Sequence, residues 1–148
     1  MAKKSPLAPS RFPVLPPIDG VRLSAGACGL RYKGRSDLMV AELAKNTRIA
    51  GVFTRSLTAA APIDWCRKAL KGGRVRAIVV NSGNANAFTG RVGDRAVLDT
   101  VRAAAAEFKC PQNQIFVSST GVIGEPLPVN RLVNALPGLK KRLDEGAW

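Results

Sequence analysis

Residues 76–117 constrain the fold more than any other stretch of this chain. Ile78, Val79 and Val80 form an unbroken apolar run between Arg76 and Asn81, which predicts a buried strand. From Gly93 to Lys109 the period changes. Val97, Val101, Ala104, Ala105 and Phe108 recur at three- and four-residue steps and share one face of a helix. "CPQNQ" closes that helix with Pro111 as breaker, and "IFVSST" opens a second strand. Strand, helix and strand in this order predict a βαβ unit within an α/β or α+β domain.

The remainder is read around that unit. Residues 1–17, rich in Pro, Ser and Lys, predict an extended, weakly ordered lead-in, with the domain proper over 18–148. Val21, Leu23 and Leu30 alternate in part with polar positions. "GRSD" reads as a turn, Leu38–Leu43 as a second strand and "AGVFT" at 50–54 as a third. Together these predict an antiparallel start to the sheet. "APIDWCRKALKGG" predicts a short helix with Pro62 in its first turn and Gly72 as its stop. Pro128–Leu136 predicts another, ended by Pro137 and Gly138, followed by a last helical piece over Leu139–Leu143. Aromatic residues are only 5%, so a core in one domain of 148 residues must be built mostly from Val, Leu, Ile and Ala. Trp148 has little to pack against at a chain end, which raises the expectation that more chain follows.

Several function classes find no support. No apolar run approaches the roughly 20 residues that cross a bilayer, and the first residues lack the apolar centre of a signal peptide. A cytoplasmic protein is expected. Cys28, Cys66 and Cys110 are an odd and widely spaced set, which argues against a disulfide framework. No CxxC occurs, so no metal site is expected. The chain has no histidine, which removes Ser-His-Asp, Cys-His and His-metal chemistry from it. Catalysis would need another base, or one supplied from elsewhere. The net charge of +13 permits nucleic acid, anionic substrates or an acidic partner chain. The basic residues are scattered and lack the interleaved aromatics of a single-strand platform. A basic nucleic-acid-binding module and a non-catalytic assembly subunit therefore stand as alternatives to an enzyme.

Two strand-end segments carry the candidate chemistry. "VVNSGNANAFTG" leaves the first strand of the βαβ unit, where ligand loops of α/β sheets lie. It matches neither a P-loop nor GxGxxG. Its asparagines and glycines also suit a connection that needs left-handed backbone and local side-chain bonds. "SSTGVIGE" ends the second strand. It reads either as a turn whose hydroxyls satisfy backbone groups, or as an oxyanion hole in which the Thr120 hydroxyl and the Gly121 N–H supply two adjacent donors. Glycine there would let a substrate approach the backbone closely. Spacing alone favours the turn.

The stretches "GVRLSAGACGLRYKGRSDL", "AGVFT", "AAPIDWCR", "AIVVNSGNANAFTG" and "SSTGVIGEPLP" stand in an order and spacing that resemble the N-terminal part of the ornithine acetyltransferase (glutamate N-acetyltransferase) family of arginine biosynthesis. The resemblance runs from about Gly20 to the end. It implies a self-cleaving precursor that yields an α and a β chain, and a nucleophilic threonine at the new N-terminus of the β chain. It also implies ping-pong transfer of acetyl from N-acetylornithine to glutamate through an acetyl-threonine ester. The threonine's own α-amino group would serve as base, which would explain a histidine-free α segment. The family's oxyanion hole maps onto Thr120 and Gly121. No nucleophile is expected among this chain's own residues, and none of them is assigned to substrate. The implied fold is a layered sandwich of mixed β-sheet and helices, shared with self-processing aminopeptidases of the DmpA type and completed by the β chain. The implied assembly is a heterotetramer of two α and two β chains, without nucleic acid or membrane. No cofactor is implied, although acetyl-CoA could act as a second acetyl donor. Ser56 stands where many relatives carry asparagine, which leaves the local turn open.

Overall fold

The computed structural model of the protein describes residues 6–11 and 13–148. Residues 1–5 and 12 of the expected lead-in lie outside the described residues. Its remaining positions form neither helix nor strand and are mostly exposed.

Four strands, β1 (Val21–Gly26), β2 (Leu38–Leu43), β3 (Ala77–Asn84) and β4 (Ile115–Val122), form one sheet in the order β1-β2-β3-β4. β2 runs antiparallel to both β1 and β3, whereas β3 and β4 run parallel. Parallel neighbours need a crossover, and α2 (Gly90–Phe108) supplies it. The predicted βαβ unit is thus present, with the sheet extended on one side by an antiparallel pair. The other helices are α1 (Ala61–Leu70) and α3 (Val129–Lys141).

Register shows how the core is built. Val40, Val79 and Val117 lie opposite one another on β2, β3 and β4, and side chains in register share a face. That face also carries Leu38, Ala77 and Ile115, all essentially inaccessible. The helices cover it with Cys66 and Ala69 of α1, Val101, Ala104 and Phe108 of α2, and Leu132, Leu136 and Leu139 of α3. The apolar stripe predicted for α2 is the stripe it buries. The opposite sheet face presents Met39, Ile78 and Val80, only half-buried.

Two expectations differ from the structure. Residues 50–54 form no strand. The chain pairs briefly where Arg48 meets Arg74, with the Ile49 N–H donating to Gly73 O, and then leaves the sheet with Val52 97% exposed. A short apolar run becomes a strand only where a neighbour offers a free edge. Nor does the helix after residue 128 stop at Pro137. It runs to Lys141 because Leu132, Leu136 and Leu139 are buried along one side. Ending at Leu136 would withdraw Leu139, a loss of roughly 1.5–3 kcal/mol for one leucine. That is comparable with the ~3 kcal/mol cost of an internal proline. Pro137 lies on the solvent side, where a helix bends outward most readily.

Candidate active site at the carboxyl ends of β3 and β4

The parallel pair brings the two chemistry-bearing segments together. Asn81 lies opposite Ser119, Ser82 opposite Thr120 and Gly83 opposite Gly121, with a bulge at Gly83–Asn84. At the two glycines the backbones leave no room for a side chain on Gly121. Gly121 has φ +136°, and a Cβ placed there would lie 2.3 Å from Gly83 C and 2.5 Å from Asn84 N. These are backbone atoms that cannot swing aside, so no larger residue fits without breaking the pairing. Gly83, at φ +99°, would bring its own Cβ to 3.1 Å from Arg31 Cβ.

The hydroxyls of the "SST" cluster divide by role. Ser119 Oγ donates to Asn81 Oδ1 at 2.6 Å and serves the fold. The Thr120 side chain is exposed and has no hydrogen-bond partner among the described residues. Both residues lie within β4 and not in a turn, so the turn reading accounts for neither: Ser119 bonds a side chain across the strand pair, and Thr120 is left unexplained.

The asparagines at the end of β3 and in its connection to α2 are structural. Asn81, Asn84 and Asn86 are each 4% exposed or less. Asn81 Nδ2 donates to Asn84 O, Asn84 Nδ2 to Glu125 O, and Asn86 Nδ2 to Gly93 O, while Asn84 Oδ1 accepts the Asn86 N–H. The Ala85 N–H donates to Val122 O and the Gly124 N–H to Ala87 O. Buried amides must find partners, and here they clamp the connection onto the segment that follows Thr120 and Gly121. Asn86 and Phe88 take left-handed backbone, with φ 48° and 56°. For Asn86, inward bonding together with left-handed backbone matches the plainer reading of this connection.

A third segment reaches the site without a clear sequence signal. In the loop from Ala27 to Asp37, the Asp37 carboxylate is 2% exposed and accepts the N–H groups of Cys28 at 2.6 Å and Leu30 at 2.7 Å. Burial works to raise its pKa. The donors of Cys28, Leu30 and Gly29 outweigh that and hold the carboxyl below its ordinary range. Burial, helped by the hydrogen bond and the charge of Asp37, pushes the Cys28 thiol up to about 12. A protonated thiol is a poor nucleophile at neutral pH, so Cys28 is no hidden catalytic group. Burial raises the Cys66 and Cys110 thiols as well. Beyond Leu30, Arg31 lies against Gly83, and its Nη1 donates to Glu125 Oε2 at 2.8 Å. "GRSD" was legible as a turn, but nothing in it announced a buried carboxylate.

The local turn around Ser56 is also settled. Thr54 Oγ1 accepts the Ser56 N–H, and Ser56 Oγ accepts the Thr58 N–H. Serine thus makes the short bond that asparagine makes elsewhere. Nearby, Leu57, Phe88, Thr89 and Asp94 line a surface cleft of about 320 Å³, and neither Thr120 nor Gly121 contributes to its lining.

Fold and site together define an α/β protein whose candidate chemistry sits at the carboxyl ends of a parallel strand pair. The chain belongs to the ArgJ family, whose family model matches residues 22–147. It is 49% identical over 144 residues to the arginine biosynthesis bifunctional protein ArgJ of Bradyrhizobium diazoefficiens, covering 97% of this chain and 35% of that protein. It is 48% identical over 147 residues to the protein of the same name from Brucella suis, covering 99% and 36%. Among solved structures it is similar to the ornithine acetyltransferase complexed with ornithine from Mycobacterium tuberculosis, with a TM-score of 0.82, 33% identity and coverage of 87% of this chain and 69% of that one. The arginine biosynthesis bifunctional protein ArgJ of Bacillus halodurans gives a TM-score of 0.77 at 31% identity, over 80% of this chain and 62% of that one. The chain spans about a third of the length of the curated relatives it matches. The family resemblance and the mixed α/β architecture expected from the sequence are both borne out. Among the described residues, no helix is long and apolar enough to cross a membrane.

Proposed function

We propose that this chain supplies the oxyanion hole of a cytoplasmic acetyltransferase that moves acetyl from N-acetylornithine to glutamate. The observation that carries the reading is an exposed threonine hydroxyl without a partner among the described residues, at Thr120, beside a glycine that tolerates no side chain. A parallel strand turns its N–H groups alternately toward and away from a neighbour. Val117 directs its N–H away from β3, to Cys66 Sγ, and the same alternation turns the Gly121 N–H outward. A hydroxyl and an N–H then converge on one carbonyl oxygen.

The nucleophile is the N-terminal threonine of a second chain cleaved from the same precursor. Its hydroxyl attacks the acetyl carbonyl while its α-amino group takes the proton. Thr120 and Gly121 hold the resulting oxyanion, and ornithine leaves with the returned proton as the acetyl-threonine ester forms. The amine of glutamate then attacks the ester, the same two donors hold the second oxyanion, and N-acetylglutamate departs as threonine is restored. Acetyl-CoA entering as an alternative donor belongs to the same proposal. Two such chains and two nucleophile-bearing chains make the working assembly, and 1–148 alone transfers no acetyl group.

The test is Thr120→Ala in the complete, processed enzyme. Losing one oxyanion donor should lower kcat by about 10²–10³ with little change in substrate binding, because the donor acts mainly in the transition state. Thr120→Ser should keep much of the rate. Self-cleavage also passes through a tetrahedral carbonyl, so turnover is measured only on fully cleaved protein. A Thr120→Ala enzyme within about threefold of the parent would leave Thr120 an exposed strand residue with no part in the chemistry.

A further inference from the structure

We propose that Ser82 is a positioning residue for the acyl site: its hydroxyl donates to Thr120 Oγ1 and so turns the one proton of Thr120 toward the oxyanion. The inference rests on the acetyltransferase reading above and adds to it a residue of β3 that acts on the reaction only through Thr120.

The placement comes from the β3–β4 register. Ser82 lies directly opposite Thr120. Residues opposite one another on neighbouring strands put their side chains on the same face, about 4.8 Å apart. That face is the one the helices leave half-covered, since Ile78 and Val80 precede Ser82 on it at two-residue steps. The pair one step earlier, Asn81 and Ser119, lies on the opposite face and shows that this register brings side chains into bonding distance: Ser119 Oγ donates to Asn81 Oδ1 at 2.6 Å. Two hydroxyls held at the same strand spacing need only rotation about χ1 to meet. The backbone of Ser82 is fixed, because its N–H donates to Asp37 O at 2.9 Å. The Asp37 carboxylate is in turn held by the N–H groups of Cys28 and Leu30.

Neither hydroxyl is consumed by the fold. Ser82 is half-buried and Thr120 exposed, and neither side chain has a hydrogen-bond partner among the described residues. Their chemistry then fixes the direction of the bond between them. A hydroxyl carries one proton and two lone pairs. With the Thr120 proton given to the oxyanion, Thr120 can only accept from its neighbour, and Ser82 must donate. A donor that itself accepts a hydrogen bond is polarised and strengthened. The gain falls in the transition state, when the oxyanion draws the Thr120 proton, and leaves substrate binding almost untouched. Ser118 provides the comparison. It lies on the same face of β4 and is exposed, but it stands opposite Val80, two residues before Thr120. That is about 6.6 Å back along the strand, too far for a hydroxyl to reach Thr120 directly.

The test uses the processed full-length enzyme as parent, with Ser82→Ala, Thr120→Ala, the double variant and Ser118→Ala. KM and kcat are measured separately for N-acetylornithine and glutamate. Ser82→Ala should lower kcat by about 3- to 10-fold, the range for one neutral hydrogen bond, with both KM values close to those of the parent. In the Thr120→Ala background the same substitution should cost nothing further, because Ser82 acts only through the Thr120 hydroxyl. Ser118→Ala should match the parent. A parent-like kcat in Ser82→Ala overturns the assignment, and so does a rise in KM at unchanged kcat. An equal loss in both backgrounds also overturns it, since Ser82 would then act independently of Thr120. So does a Ser118→Ala loss as large as that of Ser82→Ala, which would assign the effect to the sheet face and not to the pair. If Ser82→Ala fails to fold or to cleave, Ser82→Cys decides, because a thiol keeps the shape but is a weak donor. A lowered kcat that vanishes in the Thr120→Ala background supports the assignment, and a parent-like kcat overturns it. If both variants fail to fold, Ser82 is structural and the assignment falls. A parent without N-acetylornithine-to-glutamate transfer, or an indifferent Thr120→Ala, defeats the acetyltransferase site and this inference with it. A large loss at Thr120 with an indifferent Ser82 defeats only this inference.

Discussion

Asp37 shows how much one side chain can organise. Its carboxylate lies out of water, where an unpaired charge is costly, yet it is held by two backbone N–H groups. The consequence for stability has a definite sign. The folded-state pKa lies below the ordinary value, so the unfolded chain binds the proton more readily. The stabilisation is complete above the unfolded pKa of about 4 and fades as pH falls through the lower folded value. Asp37→Asn should therefore lower the melting temperature at neutral pH and flatten its fall below about pH 4. Parallel melting curves for variant and parent across the acidic range would count against this account. Thr120 is the opposite kind of residue, because its hydroxyl does nothing visible for the fold, and that idleness directs attention to chemistry.

At the scale of elements, α3 offers the sharpest test. It keeps a proline in its interior because the leucines on either side are buried. Pro137→Ala would restore a backbone bond to Val133 and relieve the ring's clash with that carbonyl. Proline also restricts the unfolded chain, and that advantage is lost on substitution. The net gain should be about 1–3 kcal/mol, read as a higher melting temperature of the complete protein. An unchanged or lower value would mean that the bend at Pro137 is needed for packing. The same helix marks the limit of sequence reading. Ile78–Val80 and the α2 stripe were legible because burial on a regular element imposes a period. The continuation of α3 was not, because it depends on what Leu139 meets in the core. "AGVFT" failed as a strand for a related reason, since pairing belongs to the neighbour as much as to the segment. Thr120 and Gly121 could be singled out as a hydroxyl beside a glycine. Gly83 as the reason for Gly121, and Arg31 beside them, required the β3–β4 register and a contact between residues 94 positions apart.

At the scale of the whole molecule, the helices cover one face of the sheet and leave the other half-covered. Val21 and Leu23 of β1 share that second face with Met39, Ile78 and Val80, all five only half-buried, and Ala25 beside them is exposed. The outer edge of β4 is similarly incomplete. Trp65 Nε1 donates to Ile115 O, Cys66 Sγ donates to Val117 O, and the Val117 N–H donates to that sulfur, but the strand continues to Val122. A free edge beside an apolar face invites pairing with another chain. Against this stands the charge of +13, which makes copies repel. The two effects respond differently to salt. Repulsion is screened over about 8 Å at physiological ionic strength and over about 3 Å at 1 M, whereas apolar burial is not weakened. An isolated 1–148 chain should therefore remain dispersed at low salt and associate as salt rises, binding an apolar dye throughout. Sedimentation velocity between about 20 mM and 500 mM salt, on either side of that screening range, measures this directly. A chain that stays monomeric at both extremes, unfolds in one sharp transition and binds no dye would show that the second face needs no cover. It would remove the physical case for a sheet completed by another chain.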